Sequence, residues 1–356
     1  MAKAKRKTLP KNFEELLEAG DVEAIKAVFD ACDVNARGDY SKQTALAFNA
    51  LQDGVARWLV EQGADIAAAD TYGYTPLHTR ASHWHGNLAI LLELGADVHE
   101  VDRQDNTPLH KAAAVGNPAN VLLLLEHGAC VNAVNQREIT PLGFALEQTS
   151  NATIERTAAI AELLLDIQRR QQTGDPVTWK MRDDVERIGA DFEFSRSNFN
   201  PDSVDATSAA LDKLYALFDV PPVPRRAMHD GKSPITATKA TWQERHQELW
   251  ALLVPASGAA TTMQGEAIRV SGRIANELDG NGGINWDAGF NKMAAALLTY
   301  LGSGVPLPAE QLSEAGSIIS EVKRRSGDPQ RLCKLAVDWV ALNSKPIALV
   351  APAYKR

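Results

Sequence analysis

The stretch TPLHKAAAVGNPANVLLLLEHGACVNAV, Thr107 to Val134, decides the fold, because TPLHTRASHWHGNLAILLELGADVHEV, Thr75 to Val101, nearly repeats it. Its opening recurs as TALA at Thr44 and TPLG at Thr140, so the four Thr anchors lie 31, 32 and 33 residues apart. A second anchor, Gly-Ala, recurs at Gly63, Gly95 and Gly128, at intervals of 32 and 33. A fixed period of this length marks a supersecondary unit that is stacked rather than folded alone.

Each part of the phrase has a physical reading. Thr suits a helix N-cap, and Pro suits the first helical position, where its missing N–H costs nothing. Leu followed by Ala gives a short inner helix with a small-residue face, ended by Gly86 or Gly116. The runs LAILLELG and VLLLLEHG form a second helix, apolar on more than one side, and Gly95 or Gly128 ends it in a left-handed C-cap conformation. An extended arm with a turn follows.

On these residues, Thr44 to about Asp166 resembles an ankyrin-repeat array: T-P-L-H, then Gly, a Leu-rich run and G-A-D. The expected fold is all-α, an ankyrin-repeat solenoid with short β-turn arms followed by an α-helical C-terminal domain. The array spans 13–168, with a degenerate cap (13–36) and repeats at 37–69, 70–101, 102–134 and 135–168. The last is interrupted by TSNATIER. A basic leader, 1–12, is expected to be disordered. After the polar link RRQQTGDP comes a helical cap or connector (169–220), in which the helix around Val185 to Ile188 covers the last repeat. A Pro-rich segment (221–240), a linker or an ordered strap, leads to five amphipathic helices (241–345) and a tail (346–356). The whole resembles bacterial ankyrin-repeat proteins of unassigned function.

The resemblance implies that stacked units share one core and leave a concave face that holds a protein partner. It also implies that His78 and His110, closing TPLH, bond to backbone and to the motif's Thr. Candidate groove residues are Tyr40, Tyr72, Tyr74, Arg80, His83, Trp84, Arg103, Lys111 and Arg137, since Tyr, Trp and Arg dominate binding hot spots. Trp84 either faces the groove or packs on a neighbouring repeat. His83 and His85 end the inner helix in water; two imidazoles without further ligands make no metal site.

In the C-terminal part, Glu266, Arg269, Arg273 and Glu277 fall on one helix face. They form either an exposed ion-pair ladder or, with Trp286, a face for a charged partner. The loop LDGNGGINWDAGF, Leu278 to Phe290, imitates a calcium loop but has Ile284 and Phe290 where Gly and Glu are required. It is expected to be an interhelix loop capped by Asn285 or Asp287.

Composition narrows the function classes. The 356 residues carry a net charge of -8, without the basic stripe of a nucleic-acid binder. No apolar run is long enough to span a membrane. Three scattered cysteines, Cys32, Cys130 and Cys333, suit a reducing, cytoplasmic setting. No catalytic constellation, metal spacing or cofactor motif is legible. The expectation is therefore a non-enzymatic interaction protein, monomeric when free, with an immunity or inhibitor role as its concrete form. The alternative is an enzyme acting through Glu266, Arg269, Asn285 and Asp287, with repeats recruiting substrate.

Overall fold

The computed structural model describes residues 4–171, 175–196 and 199–354. The first three residues of the leader, 172–174 of the polar link and the last two residues of the tail lie outside them. The chain forms two compact units: one runs to Phe192 and includes Asn200–Val223, and the other comprises Glu193–Phe199 and the chain from Pro224 onward.

The first unit opens with β1 (Arg6–Thr8), α1 (Phe13–Ala19), α2 (Val22–Ala31), β2 (Cys32–Gly38) and β3 (Gln43–Thr44). β1 pairs parallel with β2, which pairs antiparallel with β3. The leader from residue 6 is thus not a solvated tail. Its backbone bonds complete the edge of β2, and Lys5 Nζ donates to the Phe29 carbonyl at 2.7 Å.

A 3-10 turn (Ala45–Ala47) and α3 (Asp53–Glu61) form the first repeat. The helix pairs α4 (Pro76–Ala81) with α5 (Ala89–Glu93), α6 (Pro108–Val115) with α7 (Pro118–Glu126) and α8 (Pro141–Glu147) with α9 (Ile154–Gln171) form the rest. Thr75, Thr107 and Thr140 sit at the helix N-caps in extended conformation, each followed by Pro. Leu77, Leu109 and Leu142 are buried in the shared core. Gly63, Gly95 and Gly128 follow the outer helices at φ +91°, +91° and +88°, with open space where a Cβ would stand. Backbone conformation therefore fixes Gly there.

Gly116 ends α6 in the left-handed conformation, as expected. Gly86 does not end α4, which stops at Ala81. Gly86 lies where the chain passes against the Arg80 carbonyl, and a Cβ would collide with it. Two further helices, α10 (Trp179–Ser195) and α11 (Pro201–Phe218), follow. Arg187 in α10 donates to the Leu146 carbonyl at 3.0 Å, and α11 packs along α9. The open end of the stack is covered, as a solenoid requires.

In the second unit α12 (Trp242–Leu253), α14 (Ala288–Leu301) and α16 (Pro329–Leu342) surround α13 (Met263–Ala275); α15 (Ala309–Val322) packs on α14 and α16. Leu249, Val270, Ile274, Phe290, Leu297, Ile319, Leu335 and Trp339 build the core. Residues 224–237 are an ordered strap rather than a linker. The Arg226 guanidinium donates to the carbonyls of Trp250, Ala251 and Val254 at the C-terminal end of α12. Ile235 is buried and donates its N–H to Ser344 at 2.7 Å. The segment after 346 is no loose tail: Thr262 and Ala348 form an antiparallel bridge, and Ile347 N–H donates to Gln264 Oε1.

Candidate partner-binding groove

Each repeat presents a finger, the turn preceding its motif Thr. An Asp or Asn stands five residues before that Thr in all four: Asp39, Asp70, Asp102 and Asn135. Asp70 Oδ1 accepts the N–H groups of Tyr72 and Tyr74, and Asp102 Oδ1 those of Gln104 and Asn106. Asn135 Oδ1 accepts those of Arg137 and Ile139. Such side-chain-to-backbone bonds are how Asp and Asn shape turns. Two residues before each Thr the backbone turns left-handed, at Lys42, Gly73, Asp105 and Glu138.

The fingers are tied in series. The N–H of Thr71 donates to Ser41 O, that of Arg103 to Tyr72 O and that of Gln136 to Gln104 O. The motif histidines add a second tie. His78 Nε2 lies 2.9 Å from Asn106 O and His110 Nε2 3.0 Å from Ile139 O, one repeat on in each case. Facing a carbonyl, Nε2 must carry the proton, so Nδ1 accepts from the hydroxyl of Thr75 or Thr107. Burial drives the His78 pKa down to about 4, against the pull of its bond to Asn106, and it lowers that of His110. Both rings are neutral structural parts of the rim.

Among the described residues, two clefts lie between the fingers and the inner helices. The first, about 580 Å³, is lined by Glu14, Asp39, Asp70, Tyr72, Tyr74, Thr79 and His83 among others. The second, about 400 Å³, is lined by Asn106, Asn135, Gln136, Arg137, Phe144 and Gln148 among others. Lys111 bonds to Asp102 Oδ2 at 2.8 Å and Tyr74 OH at 2.9 Å, with its ammonium 4.5 Å from the centre of the Tyr74 ring. Burial alone would raise the Asp102 pKa, but hydrogen bonds from Lys111 and Asn106 hold it below the usual range.

The candidate residues thus separate. Tyr72, Tyr74 and His83 converge on the first cleft, and Arg137, ion-paired to Glu147, lines the second. Tyr40 stands out 87 % exposed, and Arg103 is exposed on the third finger. Trp84 packs on a neighbour: the Arg156 guanidinium lies 4.0 Å from its ring centre. Arg80 is not a groove residue. It is fully buried, and its guanidinium donates to the carbonyls of Leu46 and Asn87.

In the second unit the expected ladder is internal. Glu266 and Arg269 are 0 % and 2 % exposed, because the strand-like tail closes over that face of α13. Glu266 also accepts from Ala260 N–H and from the Tyr354 hydroxyl, itself bonded to Tyr300. Burial favours neutral Glu266, but the bonds from Arg269 and Ala260 outweigh it and lower its pKa. Arg273 is half-buried, and Trp286 is buried and stacked on Phe290. Glu277 accepts the Asn285 N–H, and Asp287 caps α14. None of these is an open surface for a charged partner. Among the described residues no cluster of His, Cys, Asp and Glu could hold a metal ion, and no helix is long and apolar enough to cross a membrane.

The finger Asp and Asn residues were missed by sequence reasoning, although their recurrence five residues before each Thr was available as a signal. Residues 104–136 match the family model described as ankyrin repeat, and residues 80–119 match the model described as ankyrin repeats (many copies). The chain is an ankyrin-repeat protein, and its repeats are a protein–protein interaction module. No curated protein matches the sequence.

Proposed function

We propose that this chain is a non-enzymatic binding protein that grips a protein partner along the finger side of its repeats and acts by masking it, as an immunity or inhibitor protein does. The observation carrying this reading is the pair of clefts in register between the fingers, with tyrosines exposed at the rim. The rim is held by backbone and imidazole bonds before any partner arrives, so little ordering is left to oppose binding. The enzyme alternative draws no support from its candidate groups, because Glu266, Arg269, Asn285 and Asp287 are engaged in internal bonds. Free Cys32, Cys130 and Cys333 favour a reducing, cytoplasmic setting, and the protein is taken to act as a monomer until its partner binds.

The test is capture of a partner by the full chain, followed by measurement of its Kd with Tyr72→Ala combined with Arg137→Ala. Removing one contact from each cleft should weaken binding at least about tenfold. Binding indifferent to both changes would remove the groove as the gripping surface.

A further inference from the structure

In the third repeat a lysine of the chain itself rests on the finger carboxylate, and the corresponding residue of the second repeat is Thr79. Nine residues after the finger Asp of the third repeat stands Lys111, whose ammonium rests on Asp102 Oδ2, the Tyr74 hydroxyl and the Tyr74 ring face. The equivalent pair in the second repeat is Asp70 and Thr79. Asp70 uses Oδ1 for the finger's two N–H groups, as Asp102 does, but among the described residues nothing donates to its Oδ2. Among the described residues the buried Thr79 hydroxyl has no hydrogen-bond partner, an arrangement that ordinarily costs stability. Both line the first cleft.

The remaining lining of that cleft suits a cation. Glu14 and Asp39 add two carboxylates, and Phe48 and Tyr72 add two aromatic rings beside Tyr74, whose ring already carries Lys111. No Lys or Arg is among the described residues lining it, and the cation one repeat on, Lys111, is already paired with Asp102. Carboxylate and aromatic faces together are the usual cradle for an ammonium group. The other two copies lack the pair: the residue nine after Asp39 is Phe48, and the residue nine after Asn135, itself uncharged, is Phe144.

Resting on the groove reading above, we propose that the Asp70–Thr79 cleft takes a lysine side chain of the protein partner, in the position that Lys111 fills from within one repeat later. The partner is accordingly one that presents a lysine on an extended or projecting segment.

The test uses the full chain and a fluorescently labelled hexalysine peptide, followed by anisotropy at low and at physiological ionic strength. Hexaglutamate serves as the control. Asp70→Asn should weaken hexalysine binding at least about tenfold, the loss of one charge-assisted contact. This variant retains the fold, since Asn135 makes the same two backbone bonds in the fourth finger. Thr79→Lys should have the same effect by filling the site from inside. Lys111→Thr should empty the neighbouring site and raise the number of peptides bound. The proposal is overturned if hexalysine does not bind. It is overturned equally if Asp70→Asn and Thr79→Lys bind it as the natural chain does, or if Glu61→Gln, at an exposed carboxylate outside the cleft, weakens binding as much. A captured partner that responds to Tyr72→Ala with Arg137→Ala, yet ignores Asp70→Asn and Thr79→Lys, sinks the lysine site and leaves the groove standing. A partner indifferent to all four sinks both.

Discussion

The two units bury polar groups in opposite ways. The repeat unit distributes them: each finger has its Asp or Asn, and two of the four inner helices carry the motif His. The helical unit buries its ion pair in a single cluster, where Glu266, Arg269, Tyr300 and Tyr354 bond to each other inside the core. In the first case a defect disturbs one step of a stack whose neighbours persist. In the second it leaves a charge in the interior without its counter-ion.

The largest expected effect breaks the second arrangement. Glu266→Ala leaves the Arg269 guanidinium buried without its carboxylate and should destabilise the helical unit by about 4 kcal/mol. Urea denaturation, with hydrogen exchange to assign the loss to residues 224–354, measures it. A cost below about 1 kcal/mol would show that the cluster is incidental to that fold.

Lowering the pH tests both units together. His78 in the repeats and His246 in the helical unit are each held to about 4 by burial, against an ordinary 6.5. The unfolded chain therefore takes up protons first. Stability contributed by the neutral rings is complete above 6.5 and is lost as the pH falls from 6.5 to 4, by about 3 kcal/mol for His78. The repeats carry a second lowered imidazole, His110, and should weaken more steeply than the helical unit. Exchange protection that stays flat in both units over this range would contradict the burial of these rings.

The smallest of the three is local. His110→Ala removes the tie to Ile139 O and the acceptor for Thr107, and should cost about 2 kcal/mol, with faster exchange confined to residues near 107–140. A loss spread evenly over all four repeats would mean that the array unfolds as one block rather than step by step.

The same contrast explains what the sequence revealed. Thr107 as cap, Gly95 and Gly128 as terminators and His110 as a structural ring were legible because each answers a local backbone need repeated at a fixed interval. Gly86 was misread because its reason is a close passage of Arg80, six residues away along the chain and invisible to a local rule. Arg80 itself looked like a surface cation. It is interior because carbonyls of Leu46 and Asn87, in separate segments, turn toward it. Glu266 and Arg269 show a helix-surface spacing, and only the returning chain at Ile347 to Tyr354 converts that surface into core. Pairing of Arg6 to Thr8 with Cys32 to Gly38 is likewise a distant event that the leader's charge conceals.

The ties between fingers have a mechanical consequence. Thr71, Arg103 and Gln136 each hang one tip on the tip before it, while His78 and His110 clamp the roots. A load on one tip is shared down the row, so the edge yields as linked levers rather than as four independent loops. A chain pulling at Tyr40 would meet resistance that reaches as far as Arg137.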